Sequence, residues 1–167
     1  MRILVTGGAG FIGSHLVEKL LRDGHNVAIL DDFNDFYDPQ IKRANIGPFA
    51  KEIAIHDVDL RDGKKVAALF QKEKFDAIFH LAARAGVRPS IQQPQLYYDT
   101  NVAGTLHLLE NAHASGVERF IFASSSSVYG AAKLVPFSEE EHLTQTLSPY
   151  AATKIGGEFL CSTYSHL

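Results

Sequence analysis

The residues best suited to chemistry in this chain are a tyrosine, a lysine and a run of serines. Tyr150 and Lys154 lie four positions apart, a spacing that places a phenol and an ammonium on the same face of a helix. A tyrosine hydroxyl is a poor base near neutral pH, whereas a neighbouring cation favours its phenolate form, which is a usable base. The serine run 124–127 adds hydroxyl groups that can hydrogen-bond a substrate oxygen. Because this spacing is also common on unrelated helix surfaces, its place in the fold decides its meaning.

A second candidate site is the glycine-rich turn near the N-terminus. The glycines follow the short apolar run 2–6 and match two spacings. Gly8, Gly10 and Gly13 match G-x-G-x-x-G, whereas Gly7, Gly10 and Gly13 match G-x-x-G-x-x-G. Glycines let a backbone approach phosphates without an obstructing Cβ, and the N–H groups at the start of the next helix face the anion. A purely structural turn gives the same pattern, so the glycines alone are a weak signal.

A pair of carboxylates strengthens the dinucleotide interpretation. Asp31 and Asp32 come directly after the apolar run 26–30. A carboxylate at the end of the second strand hydrogen-bonds the adenosine ribose hydroxyls and repels a 2′-phosphate. The stretch between positions 24 and 40 holds no lysine or arginine to neutralise such a phosphate. The sequence therefore predicts NAD rather than NADP as the cofactor.

These sites require a fold that brings the ends of successive strands together. Apolar runs predict five buried strands, at 2–6, 26–30, 51–56, 76–82 and 119–124. Periodic segments predict helices at 11–22, 40–46, 63–74, 95–115 and 149–167. Alternating strands and helices with short links are typical of right-handed parallel βαβ units. We therefore predict an α/β fold, a Rossmann-type doubly wound parallel sheet with the strand order 3-2-1-4-5.

Length and composition are those of one ordinary globular domain. The chain has 167 residues, of which 46% are hydrophobic and 21% charged, and its formal net charge of −3 argues against a nucleic-acid or anionic membrane surface. Cys161 is the only cysteine, which excludes an intrachain disulfide and indicates a reducing, cytoplasmic setting. No apolar run is long enough to span a membrane, and the histidines lack metal-ligand spacing. We expect neither a membrane span nor a metal site.

The last predicted helix suggests that further chain completes the fold. Ser148 and Pro149 are strong helix-start signals, but neither a C-capping glycine nor a closing strand follows. A sheet that ended with the fifth strand would leave the apolar residues 120–122 uncovered. We therefore expect residues 1–167 to be the NAD-binding N-terminal domain of a longer protein, truncated before a C-terminal substrate-binding segment.

The motifs, taken in order, resemble those of the extended short-chain dehydrogenase/reductase family, in particular its nucleotide-sugar epimerases and dehydratases. The resemblance covers the whole chain and rests on residues 6–13, Asp31-Asp32, Asp59-Leu60, residues 80–83, residues 100–102, Ser125 three positions before Val128-Tyr129-Gly130, and Tyr150 with Lys154. It implies an NAD-dependent enzyme that acts on a nucleotide sugar at C4 through a transient 4-keto sugar.

The resemblance also implies a role for each matching position. Tyr150 would take the proton of the sugar 4-hydroxyl, Ser125 would hydrogen-bond that oxygen, and Lys154 would bind the nicotinamide ribose and assist Tyr150. The implied cofactor-binding residues are Gly7, Gly10, Phe11, Ile12 and Gly13 at the pyrophosphate, Asp31 at the ribose, Asp59 and Leu60 at the adenine, and Leu81, Ala82, Ala83 and Asn101 along the groove, together with Asp32, Asn34, Ala85, Tyr150 and Lys154. The implied substrate-binding residues are Arg88, Ser125, Ser126 and Ser127.

Two features narrow the resemblance to one branch. The 4,6-dehydratases carry an Asp-Glu pair directly after the catalytic hydroxyl residue, but Ser126 and Ser127 stand here and do not act as acid and base at neutral pH. Segment 32–39, with Lys42-Arg43 behind it, and segment 85–88 resemble those of UDP-glucuronate 4-epimerases. Ser126, Ser127 and Arg88 would then accommodate a sugar carboxylate, although a phosphate or solvent contact explains Arg88 equally well. The expected reaction is the conversion of UDP-glucuronate to UDP-galacturonate.

Two alternatives remain open from the sequence. One is a UDP-glucose/UDP-galactose 4-epimerase or another nucleotide-sugar reductase or dehydratase of the family, and the other is an NAD-binding module that catalyses nothing in its 167-residue form. In the family, the helices that match 95–115 and 149–167 form a four-helix dimer interface. A second apolar stripe on these helices needs a partner, so we expect a homodimer.

Overall fold

In the part of the chain that the structure describes, five parallel strands form a single sheet in the order β3-β2-β1-β4-β5, so the predicted fold class and strand order are confirmed. The structure is a computed structural model that describes residues 1–132, 136–140 and 145–167. The strands are β1 Arg2–Thr6, β2 Asn26–Asp31, β3 Ala54–Asp57, β4 Ala77–His80 and β5 Arg119–Phe122. The helices are α1 Phe11–Arg22, α2 Pro39–Ile46, α3 Gly63–Lys72, α4 Val87–Gln92, α5 Pro94–Tyr98, α6 Gly104–Ala114 and α7 Pro149–Tyr164. Within the described ranges, no helix combines the length and the apolar character that crossing a membrane requires.

The central strands are apolar along their whole length because helices cover both faces of the sheet. Val5 and Ile29 pack with α1 and α2 on one face, while Leu4 and Ala28 pack with α3 and α6 on the other, and all four are fully buried. Leu4 lies opposite Ala28 on β2 and opposite Ile78 on β4. The two cores hold β1 at the centre of the sheet, which fixes where the glycine turn after it begins.

The predicted helix 95–115 is interrupted, which corrects the sequence prediction. A π-helical turn at Asp99–Ala103 separates α5 from α6. Such a turn inserts an extra residue and changes which side chain faces inward. It places Asn101 in the interior, with 2% of its surface exposed.

Helix α4 is absent from the sequence prediction, and it contains Pro89, a residue type that interrupts a helix when it lies in the interior. Gly86 is the N-cap of α4, so Pro89 occupies its third position. The first N–H groups of a helix have no intrahelical acceptor, and a proline there costs no hydrogen bond. This short helix then packs against α7 and becomes part of the candidate site.

Several strands and helices are shorter by a few residues than the sequence predicts. Strand β3 begins at Ala54 rather than 51, β4 covers 77–80 rather than 76–82, and β5 ends at Phe122 rather than 124. Helix α3 ends at Lys72 rather than 74, and α7 ends at Tyr164 rather than 167. The apolar character of the sequence continues past the point where the regular hydrogen bonding stops, so composition overestimates the length of these elements.

Strand β5 forms one edge of the sheet, and one of its faces is open. Gly157 of α7 lies directly against the Phe122 ring, since a Cβ at that glycine would overlap it. Ile121 points to the opposite face by strand alternation and is 43% exposed. Of the apolar residues 120–122, which were expected to be uncovered, Phe122 is therefore covered by α7 and Ile121 is exposed.

Candidate functional site

A cleft lies at the carboxyl ends of β1, β2 and β4, where the chain returns from β3 to start β4 beside β1. This is the topological switch point at which doubly wound sheets hold their ligands. Ten of the residues predicted to bind the cofactor line it: Gly7, Gly10, Asp31, Asp32, Asn34, Asp59, Leu60, Leu81, Ala82 and Ala83. The structure thus brings together residues from widely separated parts of the chain.

The glycine turn packs too tightly for side chains. Gly7 has a φ of +68°, and a Cβ on it would lie 2.8 Å from the backbone nitrogen of Ala82. A Cβ on Gly13 would overlap the Gly7 carbonyl oxygen. Because these contacts are with backbone atoms, the glycines allow α1 to begin directly against β1 and β4.

The start of α1 is suited to an anion. Its N-cap is Gly10, which has no side chain to accept a hydrogen bond, and its first turn carries no acidic residue. The N–H groups of Phe11 and Ile12 are therefore left for a ligand at the positive end of the helix dipole. The side chains of Phe11 and Ile12 are 75% and 69% exposed and do not line the cleft, so these residues would bind through their backbone. The residues present fit the pyrophosphate of a dinucleotide.

The two predicted ribose ligands are fixed by the loop after β2. The carboxylate oxygens of Asp31 accept the N–H groups of Ala9 and Phe33 at 3.2 and 3.0 Å. Asp32 accepts the N–H group of Asn34 at 3.1 Å. The loop turns at Phe33, whose φ of +44° is unusual for a bulky residue. Both carboxylates are thereby held at the rim of the cleft.

Lys42 of α2 is the most notable cleft residue that sequence reasoning missed. Its Nζ lies 3.5 Å from Asp31 Oδ1 and 3.9 Å from Asp32 Oδ1, and its side chain is only 6% exposed. Lys42 lies just beyond the stretch 24–40, which holds no lysine or arginine, and α2 folds back and brings it to the carboxylates. Its spacing of four residues from the buried Ile46 was an available signal, because both belong to the inward stripe of α2. The other lining residues that were missed are Leu30, Phe36, Tyr37, Val58, Arg84 and Thr100.

An ion pair lies at the end of the cleft where the adenine is predicted to bind. Asp59 accepts bonds from the Nε of Arg61 at 3.0 and 2.9 Å and from its backbone N–H at 2.9 Å. Burial by itself would raise the pKa of Asp59, but the bonds from Arg61 outweigh burial and lower that pKa. Asp59 therefore stays ionised and lies in a fixed orientation.

The start of α7 is fastened to α4. Ser148 caps the helix by accepting the N–H of Ala151 at 3.1 Å, and Ser90 of α4 accepts the N–H of Tyr150 at 3.1 Å. Ser90 is fully buried and donates its hydroxyl to the carbonyl of Val87 at 2.6 Å. Ser90 was missed because its role depends on the unpredicted helix α4. Both serines use orphan N–H groups of the first turn to fix the position of Tyr150.

Lys154 lies beside Tyr150 as the spacing predicts. Its Nζ is 6.0 Å from the centroid of the Tyr150 ring and 5.0 Å from that of the Phe122 ring, and it donates to the carbonyl of Ala123 at 2.7 Å. Burial lowers the pKa of Lys154 to about 8. The side chain therefore remains mostly a cation at pH 7, in a position to favour a phenolate on its neighbour.

The four serines at 124–127 make different contacts. Ser125 caps a short 3₁₀ turn and accepts the backbone N–H and the hydroxyl of Ser127 at 3.2 and 3.0 Å. Ser124 donates instead to Glu158 of α7. Ser126 is exposed and does not line the cleft. The structure therefore brings Ser125 and Ser127 together and leaves the roles assigned to this group as predictions.

Eight further predicted site residues do not line the cleft either: Gly13, Ala85, Arg88, Asn101, Ser125, Ser127, Tyr150 and Lys154. Arg88 is exposed on α4, and Ala85 is exposed while its carbonyl accepts the hydroxyl of Tyr97. Asn101 lies behind the cleft, where it accepts the N–H of Arg84 at 2.8 Å and donates to Thr153 at 3.0 Å. The π-helical turn explains this inward position, and Thr100 lines the cleft instead.

A family profile described as GDP-mannose 4,6 dehydratase matches residues 4–167. The chain belongs to this family. The predicted resemblance to nucleotide-sugar epimerases and dehydratases is thereby confirmed.

Three relatives illustrate the match. UDP-glucuronate 4-epimerase 1 of Arabidopsis thaliana is 44% identical over 167 residues, which are 99% of this chain and 39% of that protein. The crystal structure of UDP-glucuronic acid 4-epimerase from Bacillus cereus, in complex with UDP-glucuronic acid and NAD, gives a TM-score of 0.89 at 37% identity and covers 99% of this chain and 52% of its own. The crystal structure of UDP-glucose 4-epimerase from Thermus thermophilus, in complex with NAD, gives a TM-score of 0.88 at 40% identity. The match covers 99% of this chain and 51% of the Thermus chain. The chain spans about half or less of the length of these relatives.

In this member of the GDP-mannose 4,6 dehydratase family, a buried histidine links the end of β1, just before the glycine turn, to α6. Thr6 accepts the N–H of Ala82 at 3.2 Å and lies 2.6 Å from His80 Nδ1, while His80 Nε2 lies 2.9 Å from the Thr105 hydroxyl. Because Thr105 donates to the carbonyl of Asn101 at 2.6 Å, His80 must donate from Nε2 and accept at Nδ1. Burial, with a smaller contribution from the Lys154 charge, lowers the pKa of His80 to about 3.

The buried His80 predicts a loss of stability in weak acid. Its pKa is about 3 when folded and 6.5 in the reference state, so the unfolded chain binds more protons between these values and stability falls as the pH drops below 6.5. We expect about 2 kcal/mol less free energy of unfolding at pH 5 than at pH 7 from this group, measured by urea unfolding. The variant His80→Gln, which does not titrate, should lack this difference, and the exposed-site control His113→Gln should keep it. An NMR titration that protonated His80 above pH 5 in the wild-type chain would contradict the prediction.

Proposed function

We propose that this chain is the NAD-binding part of a nucleotide-sugar 4-epimerase that interconverts UDP-glucuronate and UDP-galacturonate. The proposal is supported by three placements around one parallel sheet: α1 begins after the glycine turn that follows β1, Asp31 and Asp32 stand at the end of β2, and Lys154, beside Tyr150, bonds to Ala123 just beyond β5. Relatives named as UDP-glucuronate 4-epimerases support the choice of sugar. The Thermus UDP-glucose 4-epimerase, at 40% identity, favours UDP-glucose as the second candidate substrate.

The cofactor is NAD, in agreement with the Bacillus and Thermus complexes that share this fold. The backbone of Phe11 and Ile12 would hold the pyrophosphate, Asp31 the adenosine ribose, and Asp59 with Leu60 the adenine. When bound, NAD supplies a nicotinamide ring that accepts a hydride and returns it. The protein's own task is to position the sugar and to move the proton of its 4-hydroxyl.

Tyr150 is the proposed base. It would take the proton of the 4-hydroxyl as the sugar is oxidised and return that proton when the sugar is reduced on its other face. The Lys154 cation favours the phenolate, and the Ser125 hydroxyl would hydrogen-bond the 4-oxygen in both directions. Although the family is named for a dehydratase, elimination requires an acid and a base where Ser126 and Ser127 stand. These hydroxyls suit binding of the sugar, and Arg88 would add charge toward a carboxylate.

We propose that the substrate pocket is completed by further chain of a longer protein. The open face of β5 at Ile121 provides a surface for it, and relatives of about twice this length support the idea. The domain described here would then bind NAD but would not turn over the sugar by itself.

The test is proton NMR of the longer protein with NAD and either UDP-glucuronate or UDP-glucose. We expect UDP-galacturonate to form and UDP-glucose to react more slowly or not at all. Faster formation of UDP-galactose would favour the second candidate. If neither sugar changed while NAD bound, the domain would be a binding module and the proposed activity would be wrong.

We also propose a homodimer through α5, α6 and α7, the helices of the predicted segments 95–115 and 149–167. Phe159 is 66% exposed on α7, which packs beside α6, and a large exposed aromatic side chain there favours a partner surface. Light scattering at micromolar concentration should give twice the mass of one chain. Phe159→Glu should shift the mass toward the monomer, whereas the control Ile41→Glu, on α2, should leave the dimer intact. A monomeric wild-type protein would contradict the proposal.

A further inference from the structure

We propose that Lys42 is a masked phosphate ligand, a cation at the ribose end of the cleft that Asp31 and Asp32 keep from accepting the 2′-phosphate of NADP. The inference rests on the proposed NAD site and extends it. It assigns the choice between NAD and NADP to the balance of these three charges. It also names the residue that would bind NADP if the carboxylates were removed.

The position of Lys42 is unusual for a lysine on a short surface helix. It is 5% exposed, whereas the neighbouring Ile41 is 52% exposed, so the apolar side chain points outward and the charged one inward. A lysine normally extends its ammonium into water, and its burial is costly unless the charge is compensated. Lys42 instead directs its charge into the wall of the cleft.

The ammonium of Lys42 is only loosely compensated there. A strong charge-assisted bond is about 2.7–2.9 Å long. In the part of the chain that the structure describes, the ion-pair distances of Lys42 are 3.5 Å to Asp31 and 3.9 Å to Asp32, and the Tyr37 ring centroid is 5.3 Å away. An ammonium has three N–H donors. Lys42 therefore retains donor capacity toward a ligand in the cleft.

The carboxylates are tied more firmly than the lysine. Each oxygen of Asp31 accepts a backbone N–H, and Asp32 accepts that of Asn34. Two anions and one cation leave this end of the cleft with a net charge of −1, which suits ribose hydroxyls and repels a phosphate. Removing one carboxylate charge brings the summed charge of these three groups to zero, and removing both brings that sum to +1. The same lysine would then hold the 2′-phosphate.

Two other cations near the cleft serve as references. Arg43 is adjacent to Lys42 on α2, but it is exposed and its guanidinium lies 4.5 Å from the centroid of the Phe33 ring, so it does not line the cleft. Arg84 does line the cleft and lies against Phe36, and it is unchanged in every variant compared. Arg43→Met therefore removes one charge from the same helix and is the matched control for Lys42→Met.

The test is calorimetric measurement of the affinities of NAD and NADP for the 167-residue chain. We expect the wild type to bind NAD at least about a hundredfold more tightly than NADP, and Asp31→Asn/Asp32→Asn to gain roughly tenfold to a hundredfold in NADP affinity, the range of a charge-assisted hydrogen bond. Adding Lys42→Met should abolish this gain, and adding Arg43→Met should preserve it. Asparagine keeps the Oδ1 that accepts the N–H groups of Phe33 and Asn34, but at position 31 its Nδ2 group replaces the oxygen that accepts the N–H of Ala9.

The outcomes separate the inference from the proposed function. A gain in NADP affinity that survives Lys42→Met, or that Arg43→Met removes equally, would overturn the inference. A wild-type chain that does not bind NAD would instead overturn the proposed function. Because Asp31 anchors two backbone N–H groups, the single variant Asp32→Asn, at the more exposed carboxylate, provides a second test. Asp32→Asn should gain about tenfold in NADP affinity. Adding Lys42→Met to this variant should abolish the gain.

Discussion

Replacing Tyr150 with phenylalanine in the longer protein is expected to lower the turnover of UDP-glucuronate by about 10²- to 10⁴-fold, the usual contribution of a positioned base. The substitution removes only the hydroxyl. The backbone N–H that Tyr150 donates to Ser90 and the edge-on contact with the Tyr97 ring, 6.2 Å between centroids, are both retained. The variant should therefore fold and bind NAD, and the loss should appear in kcat measured by NMR.

Tyr97→Phe is the matched control, because it makes the same change on the neighbouring ring. The Tyr97 hydroxyl donates to the carbonyl of Ala85 and is not assigned to the chemistry. Its removal should cost about 1 kcal/mol of stability and leave turnover within tenfold of the wild type. If Tyr150→Phe kept wild-type turnover, the assigned base would be wrong. If both variants lost turnover equally, the effect of Tyr150 would be one of packing rather than proton transfer.

The elements that place the cofactor site were predictable because they are encoded locally. Buried parallel strands are continuous apolar runs, and the residue after such a run lies at the carboxyl edge of the sheet. Gly7 after β1, Asp31 at the end of β2 and Leu81 after β4 accordingly line one cleft. The spacing of Tyr150 and Lys154 likewise needs only the geometry of a single helix.

The parts that were missed depend on tertiary structure. Lys42 reaches the acidic pair because α2 folds back over the end of β2, and no local pattern specifies that direction. The inward position of Asn101 requires a π-helical turn, which shifts the helix register by one residue and leaves no sequence signal of its own. The contact of Ser90 with Tyr150 depends on α4, and that helix was not predicted because it contains Pro89 in its first turn.

Gly13→Ala is expected to lower the stability of the chain by about 1–3 kcal/mol or more and to abolish NAD binding, because it overpacks the turn at the start of α1. The added Cβ would overlap the Gly7 carbonyl oxygen and lie 2.8 Å from the Cα of Gly8. These are backbone atoms of the turn itself, so relief of the overlap must displace the N–H groups at Phe11 and Ile12. Urea unfolding and calorimetry with NAD measure the two effects separately.

Gly47→Ala is the control that distinguishes this steric effect from a general intolerance of methyl groups. Gly47 has φ and ψ of −48° and −43°, which suit alanine, and no heavy atom lies within 4 Å of a Cβ built there. By restricting the unfolded chain, the substitution should raise stability by about 0.4–1 kcal/mol and leave NAD affinity unchanged. The same added methyl group should thus act in opposite directions at the two positions. A Gly13→Ala chain that bound NAD like the wild type would show that the close packing of α1 on the glycine turn is not needed to hold the pyrophosphate.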